Sequence, residues 1–317
     1  MFLKHLFLAL TGALSLATTP VSAQRPSSTP ICDYYAETIL GANTEANQRL
    51  LMVLLLHTTV LGNYTTPNTG IAVHGIATPG NFHGQDVNLI KYFTGELDST
   101  NDGTTPHGVP VLLLDGGGAA PLLKNVSSYN TSSIQYHLFD HIEQYFATLL
   151  GCSKQGGAAL PAYQGRASMY EVHKFMDLSA AELGWFNLQA TLAIASLGFS
   201  KADVAIVNDT LYNVFSKRCS PAVTLVPMNA GPQLQSCCVN EDCPLDANAT
   251  CAAYPNKGVG VPPEAANATN ASASGTESPT GTAAVATSTG AGVPAMAVEA
   301  WGTVGAVLGA VMLAVAL

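Results

Sequence analysis

Apolar residues recur at helical spacing in two blocks of the chain, with an irregular stretch between them. The first block holds a helix over 32–40, stopped by Gly41, and a second over 46–61. The second contains Leu50-Leu-Met-Val-Leu-Leu-Leu-His-Thr-Thr-Val-Leu61 and is apolar nearly all round, which predicts burial on most sides. Its length, with Arg49 and His57 inside it, argues against a membrane span. His57 in so apolar a helix needs a hydrogen-bond partner or a ligand.

The second block opens with a helix over 132–151, where Ser132 and Gln135 have capping-box spacing. Ile134, Leu138, Ile142, Tyr145, Phe146 and Leu149 form its apolar stripe, with His137 and His141 four apart on the edge. That pair is a candidate metal clip or distal polar group; for His137 a partly solvated edge position is the plainer reading. Two helices close the block. One, over 179–197, has a Ser179–Glu182 capping box and a Leu178–Leu183 staple, buries Phe186 among others, and ends at Gly198. The other, over 200–219, starts with Ser200 and Asp203, has Phe199 and Val204 as its staple, and stops before Pro221.

Between these long helices lies 162–178, read as a loop, a two-turn helix and a stop. Ser168 and Glu171 have capping-box spacing, and His173 falls on the second turn, on the same face as Met169. An imidazole held between two fixed helix starts is well oriented to bind iron or another metal axially, although a histidine in isolation more often packs or caps.

The stretch between the blocks, about 63–131, is dense in Gly, Pro, Asn and Thr. Apolar runs at 70–76, 87–93 and 109–114 interrupt it, and the last reads as a buried strand before a turn at Asp115-Gly-Gly-Gly118. A phosphate-cradling loop would need a following helix and a lysine, so a plain turn is expected there. A connection of this length is a functional element or an insertion.

The ends change the picture from a plain helical domain to an exported one. Residues 1–23 read as a signal peptide cut before Gln24. Small residues from Gly290 followed by the apolar tail over 293–317 read as a GPI-attachment signal, with Gly290 the attachment residue and the membrane reached through that anchor. Asn63, Asn125, Asn130, Asn208, Asn248, Asn267 and Asn270 each begin an N-glycosylation sequon. In an exported chain Cys32, Cys152, Cys219, Cys237, Cys238, Cys243 and Cys251 read as disulfide candidates, and their odd number leaves one free or bonded to another chain. The organisation expected is a helical domain over 24–219, a cysteine-rich extension over 220–255, and a disordered stalk over 256–292, rich in Ser, Thr, Ala, Gly and Pro. Net charge is −9 with 10% charged residues and no basic stripe, which excludes nucleic acid as a partner.

From about 134 to 218 the chain resembles the truncated, two-over-two globins. The matching features stand in family order: the helix ending Tyr145-Phe-Ala-Thr-Leu-Leu-Gly151, the turn Tyr163-x-Gly165, Met169-x-x-x-His173, Leu178-Ser-x-x-Glu-x-x-x-Phe186, and Leu197-Gly-Phe-Ser-x-x-Asp203. The resemblance implies a mainly α, globin-like fold carrying haem b, with His173 as the axial iron ligand. It implies a pocket lined by Met169, Leu138, Ile142, Tyr145, Phe146 and Phe186. It places His57 above the iron with His141 as runner-up, and Phe93 against the haem face. The long middle stretch, the apolar Leu138 and Ile142, and the secretion signals depart from the family pattern.

Two classes of function follow. One is a haem protein at the cell surface or cell wall, binding oxygen or nitric oxide or exchanging electrons with a redox partner. The other is a GPI-anchored structural or adhesive cell-wall glycoprotein, in contact with wall glycans, with a globin-like fold and no cofactor. A metal-dependent enzyme built on His137 and His141 ranks last, because no carboxylate ligand accompanies the pair.

Overall fold

The computed structural model of the protein describes residues 24–64, 68–101 and 106–263. The signal peptide, Asn267, Asn270, Gly290, most of the expected stalk and the apolar tail lie outside the described residues. The described residues belong to one compact unit. They are mainly helical: α1 (Ile31–Leu40), α2 (Glu45–Leu61), α3 (Ile90–Phe93), α4 (Ala119–Leu122), α5 (Ile134–Leu149), α6 (Met169–His173), α7 (Ala180–Ser196) and α8 (Lys201–Phe215). Four short strands accompany them: β1 (Gly80–Phe82), β2 (Gln85–Val87), β3 (Thr94–Thr100) and β4 (Val109–Leu112).

The helices start and stop where local chemistry requires. Thr44, Ser168, Ser179 and Ser200 each accept a backbone N–H at a helix start, and Gly41 ends α1 in the left-handed conformation. Ser179 and Glu182 form the full reciprocal box, while Ser168 makes only its half and Glu171 turns to Lys174. The expected box at Ser132 is corrected. Ser133 is the N-cap of α5, and the Gln135 side chain instead takes the amides of Gly116 and Gly118 and donates to the carbonyls of Gly118 and Ser127.

α2 is the spine. Every residue from 51 to 59 is buried, as its all-round apolar sequence predicts, and α1, α5 and α7 pack against it. α7 also packs on α8, so the long helices form a connected bundle around one apolar core. The Cys32–Cys152 disulfide ties the start of α1 to the residues just past α5.

The stretch between α2 and α5 carries secondary structure of its own. β1 and β2 pair antiparallel across a turn in which His83 and Gly84 both have positive φ. Trp185 on α7 lies so close to Gly80 that a Cβ there would sit 2.2 Å from its ring, and Phe82 covers Gly184 in the same way. β3 and β4 pair antiparallel with register shifts. The expected buried strand at 109–114 is therefore corrected: β4 belongs to a two-stranded ribbon and is half-buried, with Leu112 exposed.

Residues 220–255 wrap back over the bundle. The amides of Cys237 and Cys238 donate to Phe215 O, those of Val239 and Asn240 to Leu178 O, and Ser168 Oγ donates to Leu234 O. Disulfides Cys219–Cys251 and Cys238–Cys243 fix this wrap. Cys237, a disulfide candidate in the sequence, is a buried free thiol.

A second tie holds residues before α1 against α8. Arg25 Nε and Nη2 both donate to Asp203 Oδ1, at 2.9 and 2.6 Å, and the Tyr35 hydroxyl donates to Oδ2 at 2.7 Å. Burial alone would raise the Asp203 pKa, but the bonds from Arg25, Tyr35 and Ser200 overcome it and hold the carboxyl below its ordinary 3.8. A depressed folded-state pKa stabilises the fold above the unfolded value, and that contribution is lost as pH falls through the folded one. Asp203→Asn should cost about 2–3 kcal/mol in denaturant melts at pH 7. The difference from wild type should persist at pH 5 and shrink only below 3.8.

Candidate functional site

α6 presents His173 between a capped helix start and the α7 start that follows. Its Nδ1 donates to Met169 O at 2.8 Å, four residues back, which fixes the proton on Nδ1 and leaves the lone pair on Nε2. Nε2 makes no hydrogen bond to any described residue; His173 is half-buried, and this nitrogen is open to solvent. Burial lowers the His173 pKa, and the bond to Met169 O only partly offsets this, so the ring is neutral at pH 7.

Cys237 Sγ lies 3.4 Å from the same Nδ1, with its thiol placed to donate to Gln235 O at 3.6 Å. Burial pushes this thiol's pKa up strongly, so the sulfur is a neutral, weakly accepting neighbour. Tyr145 stands near enough for Cys237 to influence its own raised pKa. Its hydroxyl is buried without a hydrogen-bond partner among the described residues. Tyr145 packs edge-on to Tyr163 at 5.3 Å, and Tyr163 packs against His141 at 6.1 Å. The structure therefore places His141, Tyr163 and Tyr145 in one row of ring contacts and Cys237 beside His173.

The apolar residues expected around this site divide by burial. Tyr145 and Phe146 are buried; Leu138, Ile142, Met169, Phe186 and Phe93 are half-buried. On α5 the expected stripe holds at Tyr145 and Phe146 but not in the first turns. The row turned into the protein is Gln135, Phe139 and Glu143, while Ile134 is exposed and Leu138 and Ile142 are left half-covered. His137 is exposed on the same helix.

His57 has a different setting. It is fully buried, its Nδ1 donates to Leu122 O at 3.0 Å, and Phe139 packs edge-on against its ring. Nε2 faces Glu143 Oε1 at 3.8 Å. Glu143 accepts from Ser127 Oγ at 3.0 Å and lies 3.3 Å from Arg49 Nη2. None of these partners is shared with His173. Burial raises the Glu143 pKa to about 7 in spite of Arg49 and Ser127, and burial lowers that of His57 to about 4.

Among the described residues no three His, Cys, Asp or Glu side chains converge on a point where an ion could sit, which leaves the His137–His141 pair without further ligands. Nor, among them, is any helix long and apolar enough to cross a membrane. No family model, curated protein or solved structure matches this chain.

Cys237 and Glu143 were not singled out as site residues from the sequence. The odd cysteine count required one unpaired thiol without saying which. Glu143 stands eight residues after Gln135 and four after Phe139, a row on one helix face, but its acidic character disguised that face as the solvent side. Of the sequons within the described residues, Asn63, Asn130, Asn208 and Asn248 are exposed; Asn125 is half-buried and accepts from the Tyr64 hydroxyl.

The His57–Glu143 pair makes opposite contributions to stability as pH changes. Glu143, with its folded pKa raised from 4.5 to about 7, stabilises less as pH rises across that window. His57, with its folded pKa lowered from 6.5 to about 4, stabilises less as pH falls across its own. Glu143→Gln should expose the histidine's slope, with stability falling by on the order of 3 kcal/mol from pH 6.5 to 4. His57→Gln should show the reverse slope between pH 4.5 and 7. Denaturant melts at half-unit pH steps check both.

Proposed function

We propose that this chain is a haem-binding, globin-like protein of the cell surface, with His173 as the axial iron ligand. The observation that carries the proposal is the fixed tautomer. Nδ1 donates to Met169 O and Nε2 keeps a lone pair with no partner among the described residues. Metal-bound histidines are commonly held this way, the second ring nitrogen donating to a backbone carbonyl. A single protein ligand suffices for haem, so the lack of a converging metal cluster among the described residues does not bear on it.

The residues present fit such a group. Tyr145 brings a buried hydroxyl without a partner, and Leu138, Ile142, Met169 and Phe186 offer apolar surface that the bundle covers only in part. Bound haem would supply an iron centre for a diatomic gas or an electron. The chain's own part would be to orient the imidazole through Met169 O and to hold it neutral. His57 is given no role at the iron: its Nδ1 donates to Leu122 O, Phe139 packs on its ring, and its Nε2 is enclosed 3.8 Å from Glu143. The packing of α2, α5, α7 and α8 supports a two-over-two arrangement. The three disulfides support passage through an oxidising compartment, in keeping with export and a GPI tether.

One observation favours the second reading, a cofactor-free structural or adhesive glycoprotein. Cys237 stands beside His173, 3.4 Å from Nδ1, and neither the cavity at the end of α2 nor that at the end of α5 is lined by His173. Titration of the full-length protein with hemin separates the two. A stoichiometric Soret band that disappears in His173→Ala and persists in His57→Ala is expected. No band in the wild type, or one indifferent to His173→Ala, would leave the structural reading standing.

A further inference from the structure

A cavity of about 180 Å³ opens beside the last turn of α2, away from the cluster around His173. Its floor is Ile76 and Leu122, both buried. Val60 and Phe93 stand in its walls, and Ala119, which is exposed, marks its rim. All nine lining residues are aliphatic or phenyl in side chain, and seven of them come from the stretch between α2 and α5.

The backbone around the cavity is already paired. The amides of Ile76 and Ala77 donate to Thr59 O and Val60 O, that of Leu113 to Phe93 O, and that of Leu123 to Ala119 O. A water held inside would need two to four polar partners, and these walls offer none from a side chain. An apolar space of about this size gives a water few partners and is filled more favourably by an apolar molecule, here reached through the open rim. The small side chains Ala77 and Ala119 stand where larger ones would fill the space, and the second of them leaves the rim open.

We infer that this cavity binds one small hydrocarbon-like molecule of about benzene size. The site recognises shape and the absence of polar groups, so it disfavours ions and sugars and, more modestly, a hydroxylated isostere whenever its O–H is turned away from the open rim. The inference stands apart from the haem proposal, since it uses neither His173 nor its neighbours.

The test uses the full-length protein with benzene and toluene as probes and phenol as the polar control. Binding should raise Tm by about 3 °C at tenfold excess over Kd for the hydrocarbons, and by clearly less for phenol. In methyl-labelled wild-type protein, benzene should shift the Ile76, Ile90 and Leu122 methyl resonances. Ala77→Leu, which fills the space, should abolish the Tm shift. The methyl map decides the matter even if that variant fails to fold. Shifts centred on Met169 and Met176, or no saturable shift at all, would overturn the inference.

Discussion

The structure depends on one constraint: α2 is buried on every side, so each polar group it carries must be met from a neighbouring element. Gln48 shows how this works. Its Nε2 donates to Asp33 on α1 at 2.7 Å, and its Oε1 accepts from the amide of Lys154 beyond α5 at 2.9 Å. Asp33 in turn accepts from the amide of Ser153, beside the Cys32–Cys152 disulfide. One buried side chain thereby fixes α1, α2 and the end of α5 against one another. Farther along α2, Arg49 and His57 meet Glu143, which sets the rotation of α5 about its own axis.

That rotation explains the half-covered face of α5. Helix packing driven by apolar area alone would turn Leu138 and Ile142 inward. Burying Glu143 against α2, with Phe139 on the same row, turns them partly away instead. The carboxyl gives up much of its charged form to sit there, as its raised pKa records, and Ser127 and Arg49 offset only part of that cost. This rotation leaves Leu138 and Ile142 half-covered on the surface of α5. The haem proposal uses that surface.

Much of the helical frame was legible in the sequence because it is written in local chemistry. Gly41, Ser179 with Glu182, Ser200 with Asp203, and Gly198 act within a turn of where they stand, and they mark the observed ends. The burial of α2 followed from a run too uniformly apolar to have a solvent face. The stretch after α2 was opaque for the opposite reason: its order comes from contacts distant in sequence. Gly62 and Gly75 touch so closely that a Cβ on Gly75 would lie 2.4 Å from Gly62 N, and Gln189 on α7 accepts the amides of His74 and Gly75. The β1–β2 turn puts a histidine where Asn or Asp usually precedes the glycine, so no hairpin signal was visible. The placement of His57 was illegible too, because Leu122, the carbonyl that engages it, is 65 residues away.

Two histidines on neighbouring parts of this fold have nearly the same chemistry. Each gives its Nδ1 proton to a backbone carbonyl, and each is kept neutral chiefly by burial. What separates them is the other nitrogen. At His57 that nitrogen lies 3.8 Å from the buried Glu143 carboxyl, too far for a hydrogen bond, and is shut off from solvent without a partner. At His173 it likewise has no partner among the described residues, but the residue is half-buried and the nitrogen is open to solvent; the ring sits on a five-residue helix clamped from outside by Leu234 and Gln235. Holding so short a helix by the Leu234 carbonyl and the Gln235 side chain of a disulfide-fixed segment supplies what its few internal bonds cannot. The direction of the His173 lone pair is thus set by the Met169 carbonyl and by the contacts that hold α6, and the haem proposal relies on that orientation.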